Sequence, residues 1–409
     1  MLLGRLPVQG SIAIALLLWS ACAPVAEAQG LAPLARAIGI DVSFAPQPGE
    51  EQDPRFLAIW KADATVIESG NGKMDEAQRP IDPAQPIGPD NVKYDMSLLA
   101  ADAKFAHDNG YKLALLHPGS GYYITTPAWV RDITSPAIAT KVMTDYISAV
   151  MATPGVAGQT YAMVGNNETI DEWVNVDVSP SWIRRVGQDA KTPQPWYPAL
   201  GDEYATLPFK IIRSFDKNVI VGISDYALHL SGFHHKFDQK FDHLLALVKT
   251  LKAAGYRPAV FIQWHLDPTQ EEASDPSDLW GPLGNPKVFD RKVYRARLAQ
   301  LAKLGIQVHL TEGDCNDAPL AEPDPQKRDE ICAKYMKDFL TDSLNSPAVK
   351  RIGFANTADL HSYIPNYQPS EIKHPGPAAA MIYDINLQKT AKWWAVHDVL
   401  AAKAAGKLP

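Results

Sequence analysis

Short runs of apolar and β-branched residues alternate along the chain with longer segments in which apolar residues recur every three or four positions. Three segments show the repeat clearly, because each contains an amphipathic helix, a glycine that ends it and a buried strand. They are KFAHDNGYKLALL, LVKTLKAAGYRPAVFI and QLAKLGIQVHL. A helix that leads into a fully apolar strand is the repeating unit of a parallel sheet. The pattern therefore predicts an α/β protein.

The pattern predicts eight strands of this kind. They are predicted at residues 37–44, 64–67, 111–116, 160–164, 219–223, 259–262, 306–311 and 351–354. Eight parallel strands with intervening helices close most simply as a single (β/α)8 TIM barrel, which we expect over residues 29–409, with long loops after strands 4 and 6. An open doubly wound sheet is the alternative, but no glycine-rich nucleotide-binding motif follows the first strand.

The first 28 residues have the pattern of an export signal. Arg5 precedes a short apolar run at residues 12–19, and the triplet AEA that ends at Ala28 fits a signal-peptidase site. We expect cleavage after Ala28 and a secreted or periplasmic mature protein. Lipidation at Cys22 and a retained anchor are the alternatives. The mature sequence contains no stretch long and apolar enough to cross a bilayer.

The composition narrows the classes of function. Asp and Glu number 46 against 39 Lys and Arg, which gives a net charge of −7, and basic residues do not cluster in the sequence. This balance argues against a nucleic-acid partner and offers no basic surface to anionic lipid. The sequence shows no metal-ligand spacing and no cofactor motif, so we expect neither a metal nor a cofactor. We also expect a monomer.

Three cysteines are too few for a disulfide-rich scaffold. Cys22 would be lost with the signal segment. Export would allow the other two, Cys315 and Cys332, to form a disulfide, and a pair of buried thiols is the alternative.

A TIM barrel has its active site at the carboxyl ends of the strands. The residues just past the predicted strands are polar or titratable: Asn71, His117, Asn167, Glu168, Asp225, Gln263, His265, Glu312, Asp314, Asn356 and Asp359. Any one of them alone would be an ordinary turn residue. The whole set predicts a catalytic cleft at this end of the barrel.

Two glutamates in this set suggest the chemistry. Glu168 ends strand 4 and Glu312 ends strand 7, so that the two face each other across the mouth of the barrel. A retaining glycoside hydrolase needs such a pair, one carboxyl to protonate the leaving oxygen and one carboxylate to attack the anomeric carbon. A salt bridge at a strand end is the alternative role for either glutamate. His265 and Asp314 could form a hydrogen-bonded pair that orients Glu312 and keeps it ionised.

Several segments resemble, in the same order, the strand-end motifs of glycoside hydrolase family 10. They are ESGNGKMD (68–75), TPAWV (126–130), NNETID (166–171), SDYA (224–227), FIQWHLD (261–267) and HLTEGDC (309–315). The resemblance covers almost the whole mature chain. It implies a TIM barrel and the activity of a retaining endo-β-1,4-xylanase, with a polysaccharide or oligosaccharide as the substrate.

The resemblance also implies a role for individual residues. Glu168 would be the acid/base and Glu312 the nucleophile. The supporting residues would be Asn167, Gln263 and His265 at the sugar next to the scissile bond, Asp314 behind His265, Asn71 and Lys73 on the glycone side, and His117 after strand 3. For Asp225, a structural hydrogen bond and a ligand contact both remain open.

The chain departs from the family in its aromatic residues. The two tryptophans expected near strand 8 fall at Ala355 and Tyr363, and Trp264 stands where the family has a small residue. Aromatic faces are the usual platforms for sugars. The candidate platforms in this chain are Tyr122, Tyr123, Trp129, Trp264 and Tyr363, and the long loops add Trp173, Trp182, Trp196 and Trp280, each of which could instead cap the barrel rim.

These departures leave three hypotheses. The first is hydrolysis of xylan. The second is the same chemistry on another polysaccharide, such as a bacterial exopolysaccharide. The third is a barrel that binds saccharides without hydrolysing them.

Overall fold

The computed structural model describes residues 29–116, 125–170, 194–232, 236–270, 287–364 and 372–409. Eight parallel strands form a closed barrel, in which each strand pairs with its neighbours in sequence and the eighth pairs with the first. The strands are β1 (Asp41–Phe44), β2 (Val66–Ser69), β3 (Lys112–Leu115), β4 (Thr160–Asn167), β5 (Ile220–Tyr226), β6 (Pro258–Leu266), β7 (Val308–Cys315) and β8 (Val349–Phe354). The predicted (β/α)8 barrel is confirmed.

Helices cover the outside of the barrel. The longer ones are α1 (Leu31–Ala37), α2 (Pro54–Asp63), α3 (Ser97–Asp108), α4 (Pro136–Ala152), α5 (Leu207–Phe215), α6 (Lys236–Ala253), α7 (Arg291–Lys303), α8 (Pro325–Leu344) and α9 (Ala391–Ala404). Short helical turns occupy Met74–Ala77, Ala128–Arg131 and Tyr197–Leu200. Two antiparallel ribbons pair Gln78–Arg79 with Lys93–Tyr94 and Ser231–Gly232 with Lys287–Val288. Among the described residues, no helix has the length and apolar character of a membrane span.

The start of the barrel differs from the prediction. Residues from 37 onward were expected to form the first strand, but α1 ends there and β1 begins only at Asp41. Leu31 and Leu34 recur at helical spacing and are buried where α1 contacts α2 and α9. Gly39 then turns the chain with a φ of 72°, in the left-handed region that glycine adopts at little cost. The predicted signal segment, residues 1–28, lies outside the described residues.

Helix starts follow local side-chain chemistry. Asp290 caps α7, since its Oδ1 accepts hydrogen bonds from the backbone nitrogens of Lys292 at 2.8 Å and Val293 at 3.0 Å. At α3, Ser97 is the first residue of the helix, and the carboxylate of Asp95 accepts from the backbone nitrogen of Ser97 at 3.1 Å.

Alternate residues of each strand lie on opposite sides of the barrel wall. One set packs outward against the helices and forms the main core, with members such as Ile67, Leu113, Met163 and Ile262. The other set forms a smaller cluster of Val66, Ala114, Ala162, Val164, Ala259 and Phe261. The same alternation decides which strand-end side chains can reach the mouth.

A charged group is buried together with this second set. Arg351 of β8 pairs with Glu68 of β2, with 3.3 Å between Nη1 and Oε1, and both side chains are 1% exposed. Ser43 of β1 donates a hydrogen bond to the same carboxylate. Burial raises the pKa of Glu68, while Arg351 acts against this shift and Glu312 adds to it. This ion pair was not recognised in the sequence, because nothing in a strand pattern shows which polar residues pair across a barrel.

Trp264 lies on the outer side of the wall, so its predicted role as a sugar platform is wrong. The side chain is fully buried, and its ring stacks on Phe339 of α8 with 5.2 Å between centroids. Its Nε1 donates to the carbonyl oxygen of Gly353 at 2.8 Å. Period-two alternation makes this unavoidable, because the flanking residues Gln263 and His265 take the side that faces the site.

The close packing of Trp264 gives a test of this arrangement. A Cβ on Gly313 would lie 2.1 Å from Cε2 of Trp264, so the tryptophan and the strand could not keep their positions in Gly313→Ala. We expect this variant to lose about 1–3 kcal/mol of unfolding free energy, measured by urea denaturation. Gly88→Ala is the control, since its Cβ would meet nothing within 4 Å. Equal stability of the two variants would contradict the packing.

Candidate active site

Glu168 and Glu312 lie at the carboxyl ends of β4 and β7, on the same rim of the barrel. Both are partly buried. Both have left-handed backbone, with φ of 50° at Glu168 and 56° at Glu312. This conformation is costly for a residue with a Cβ and is concentrated at functional sites. Among the described non-glycine residues, only Ala227 and Leu387 share it.

Irregular strand pairing accompanies the strained backbone. The register of β7 shifts against β6 between Thr311 and Asp314, and against β8 between Leu310 and Gly313. Glu312 lies inside both irregular stretches. Such bulges bend a strand and redirect a side chain. The strand therefore presents Glu312 differently from a residue in regular pairing, a feature that the sequence pattern does not reveal.

The segment after Glu168 is fixed by a buried ion pair. Lys240 of α6 lies 2.7 Å from Oδ1 of Asp225, and both side chains are completely buried. The other oxygen, Oδ2, accepts from the backbone nitrogen of Ile170 at 3.0 Å. The structure shows Asp225 in a structural hydrogen bond, which is one of the two roles left open for it. Its carboxylate anchors the backbone two residues beyond Glu168.

Gln263 of β6 contacts residues at the ends of β4 and β5. Its Nε2 lies 3.1 Å from Oδ1 of Asn167, 3.2 Å from Oγ of Ser224 and 3.5 Å from Oε1 of Glu168. Asn167 and Gln263 are almost fully buried. The amides thus hold each other in place beneath the carboxyl group of Glu168. The structure brings together these three residues as the sequence predicted.

A second group surrounds Glu312. The predicted hydrogen bond between His265 and Asp314 is present, with 2.6 Å between Nδ1 and Oδ2. On the other side of the ring, Nε2 lies 3.7 Å from Oε2 of Glu312. Burial lowers the pKa of His265, but the carboxylates of Asp314 and Glu312 outweigh it and raise the pKa to about 10. At neutral pH the site therefore places an imidazolium beside Glu312.

Tyr363 belongs to the same group. Its hydroxyl donates to Oδ2 of Asp314 at 2.8 Å and lies 3.1 Å from Nδ1 of His265. The two rings meet edge-on, with 6.3 Å between centroids. The sequence pointed to Tyr363 only as an aromatic surface. Its hydrogen bond to Asp314 was missed, because the loop after β8 and strand β7 meet there only after folding.

The β1–β2 side of the mouth contains a cavity of about 320 Å³. Its walls come from the loop after β1, from Asn71 and from one face of α3, including Asp102 and Phe105. Nδ2 of Asn71 donates to Oδ2 of Asp102 at 2.8 Å, and burial raises the pKa of Asp102. Lys73 pairs with Glu76 at 3.3 Å. Asp102 was missed in the sequence, because it lies within a helix and not at a strand end.

A family model of glycosyl hydrolase family 10 matches residues 36–399 of the chain. The chain belongs to this family. Membership makes it a glycoside hydrolase, in agreement with the resemblance seen in its motifs. No curated protein matches the chain.

Solved structures share the fold of this family 10 chain. Xylanase 10B from Thermotoga maritima superposes with a TM-score of 0.71 at 19% identity, over 92% of this chain and 99% of that chain. Xylanase 10B from Thermotoga petrophila RKU-1, in complex with xylobiose, gives 0.70 at 19%, over 92% and 98%. A mutant of xylanase 10C from Cellvibrio japonicus, in complex with xylopentaose, gives 0.72 at 16%, over 91% and 69%. At such identities the similarity establishes the fold.

The structure describes only some of the other aromatic residues that were candidate sugar platforms in this family 10 chain. Trp196 is 2% exposed, so it caps the rim and offers no open face. Trp129 is half-buried against the core and donates its Nε1 proton to Gln78 at 2.8 Å, and its platform role stays a prediction. His117, Tyr122, Tyr123, Trp173, Trp182 and Trp280 lie outside the described residues.

The predicted disulfide is not present. Cys315 and Cys332 are free, buried thiols, and Sγ of Cys332 donates to the carbonyl oxygen of Cys315 at 3.4 Å. Burial raises the pKa of the Cys315 thiol, and the hydrogen bond with Cys332 adds to this shift. The alternative of two buried thiols is the one that the structure contains.

The charge on His265 can be measured directly. We expect both ring nitrogens to stay protonated from about pH 5 to pH 9, because the two neighbouring carboxylates stabilise the cation. Nitrogen-15 NMR of histidine-labelled protein reports the protonation. His309 is the control, since burial, with Arg351 and Lys112 nearby, holds its pKa well below the ordinary value. A neutral His265 ring at pH 7 would contradict the assigned pair.

Proposed function

We propose that the chain is a retaining endo-β-1,4-glycosidase, with xylan as its substrate. The observation that carries this proposal is the pair of left-handed glutamates on one rim, one beside the Asn167–Gln263 amides and one beside the His265 imidazolium. The two carboxyl groups have different surroundings. Different surroundings for two carboxyl groups are what a division into acid and nucleophile requires.

In the first step, ionised Glu312 attacks the anomeric carbon while Glu168 protonates the leaving glycosidic oxygen. This step forms a covalent glycosyl-enzyme and releases the aglycone part of the polymer. In the second step, Glu168 takes a proton from water, and that water displaces Glu312 from the anomeric carbon. The imidazolium of His265 favours the ionised form of Glu312 before attack and after release.

The surroundings of the glutamates support a carbohydrate substrate. The buried amides of Asn167 and Gln263 are suited to hydrogen bonds with sugar hydroxyls, and a cavity lies beside Asn71, the residue that the resemblance assigns to the glycone side. The similar barrels include one bound to xylobiose and one bound to xylopentaose, which supports xylan. The proposed export after Ala28 would bring the enzyme to an extracellular polymer, and we propose that it acts as a monomer.

A second substrate has its own support. Trp264 is buried on the outer side of the wall, and the expected tryptophans near β8 are Ala355 and Tyr363. The aromatic surface that would stack on a xylose ring is therefore altered. The same chemistry on another β-linked polysaccharide, such as a bacterial exopolysaccharide, is the second candidate.

The roles of the two glutamates can be separated with azide. In Glu312→Ala, we expect hydrolysis of an aryl β-xylobioside to fall about 10⁴-fold or more, and azide to restore turnover with an α-configured glycosyl azide as product. In Glu168→Ala, we expect a loss of about 10²–10⁴-fold on xylan, with azide giving the β-configured product. Product configuration is read by proton NMR.

The two variants act as controls for each other, because azide occupies the opposite face of the sugar in each. Exchanged product configurations would reverse the assigned roles. Failure of azide to accelerate either variant, in protein with the wild-type circular dichroism spectrum, would overturn the double-displacement mechanism.

A panel of polymers tests the substrate. We expect reducing ends to be released from β-1,4-xylan with a kcat/KM at least about tenfold above that on β-glucans and exopolysaccharides, since one pocket contact changes discrimination by this order. Glu312→Gln protein measures the background. Higher activity on an exopolysaccharide would favour the second candidate. Saccharide binding by calorimetry with no turnover of any polymer would mean that the barrel only binds its ligand.

A further inference from the structure

Asp314 accepts two hydrogen bonds on one oxygen. His265 donates from Nδ1 at 2.6 Å, and Tyr363 donates from its hydroxyl at 2.8 Å, both to Oδ2. Asp314 is 1% exposed, so its carboxylate depends on such donors. The loop after β8, which contains Tyr363, is thereby connected to the strand that contains Glu312.

A role as a sugar platform would not account for the hydrogen bond of the Tyr363 hydroxyl. A ring that only supports a sugar needs an apolar face and places no demand on its hydroxyl. Here the hydroxyl is aimed at a buried carboxylate, and the ring meets His265 by its edge at an interplanar angle of 81°. A tryptophan at this position would carry its only donor, Nε1–H, on the five-membered ring, so it would not place a donor where the Tyr363 hydroxyl lies.

We propose that Tyr363 is a positioning residue, whose hydroxyl holds Asp314 in the orientation that binds Nδ1 of His265 and so keeps the imidazolium beside Glu312. The inference rests on the proposed function, because it takes Glu312, the carboxylate beside this imidazolium, to be the nucleophile. It adds a third member to the His265–Asp314 pair. Without the hydroxyl, Asp314 has one donor fewer on Oδ2, and its carboxylate is free to rotate away from the ring.

The charges around the pair set the direction of the effect. Within the described residues, Asp314 faces His265 from β7, Glu68 adds negative charge from β2, and Arg351 adds positive charge from β8. On the β4 side, Oε1 of Glu168 lies 3.5 Å from Nε2 of Gln263. Because the imidazolium is the cation in contact with Glu312, loosening it weakens the electrostatic stabilisation of the carboxylate beside it.

Tyr363→Phe removes only the hydroxyl and is the main test. We expect kcat on xylan to fall about tenfold to a hundredfold, which is the usual cost of losing a partner behind a site residue, with KM changed much less. We expect the acidic limb of the kcat/KM profile to move up by about half a pH unit to one unit. The hydrogen-bonded Nδ1 proton of His265 should broaden or shift in the proton NMR spectrum.

Two further variants separate this role from its rivals. Tyr363→Trp keeps a large aromatic face and should remain as impaired as Tyr363→Phe, whereas a sugar platform would be preserved in both. Tyr383→Phe is the matched control, since its hydroxyl donates to the buried carboxylate of Asp63 at 2.6 Å, which is not part of the His265–Asp314 pair. We expect it to lower the unfolding temperature and leave the pH profile unchanged.

The outcomes are distinct. Wild-type kcat and an unmoved acidic limb in Tyr363→Phe would overturn the positioning role, and so would a Tyr383→Phe profile shifted by the same amount. The NMR signal of His265 needs no turnover. If the wild-type protein hydrolyses nothing but Tyr363→Phe alters this signal, the proposed function fails while the contact stands. If turnover is normal and the signal is unchanged, the inference fails alone.

Discussion

The alternation of side chains along eight parallel strands is the constraint on which this structure depends. Closing the sheet forces every strand residue to face either the helices or the inside of the barrel. In β6 this sends Gln263 and His265 toward the site and leaves Trp264 stacked on α8. The same rule brings Arg351 and Glu68 together in the interior. Because the wall is shared by neighbouring strands, no strand-end residue can be repositioned without disturbing the packing behind it.

The site is assembled where this regularity is interrupted. Bulged pairing around Glu312 and left-handed backbone at both glutamates are deviations from a regular sheet. Each deviation is stabilised by neighbours. Asp225 and Lys240 fix the chain beyond Glu168, and the group of His265, Asp314 and Tyr363 surrounds Glu312. Rigid support of this kind allows a strained conformation to persist at a functional position.

Much of the fold could be predicted from the sequence, because helix and strand periods are local properties. All eight strands and the placement of Glu168, Glu312, Gln263 and His265 at one rim follow from them. The errors have physical causes. Leu31 and Leu34 are buried in a helix that precedes β1, and Trp264 was assigned a face without regard to its neighbours. The contacts of Asp102 and Tyr363 were out of reach, because they join segments that only the closed barrel brings together.

The left-handed glutamates have a consequence for the stability of this chain. The left-handed conformation costs a residue with a Cβ roughly 1–2 kcal/mol, and it costs glycine almost nothing. The barrel would therefore become more stable if either glutamate mutated to glycine. The two glutamates thus occupy positions at which backbone energetics alone would favour glycine.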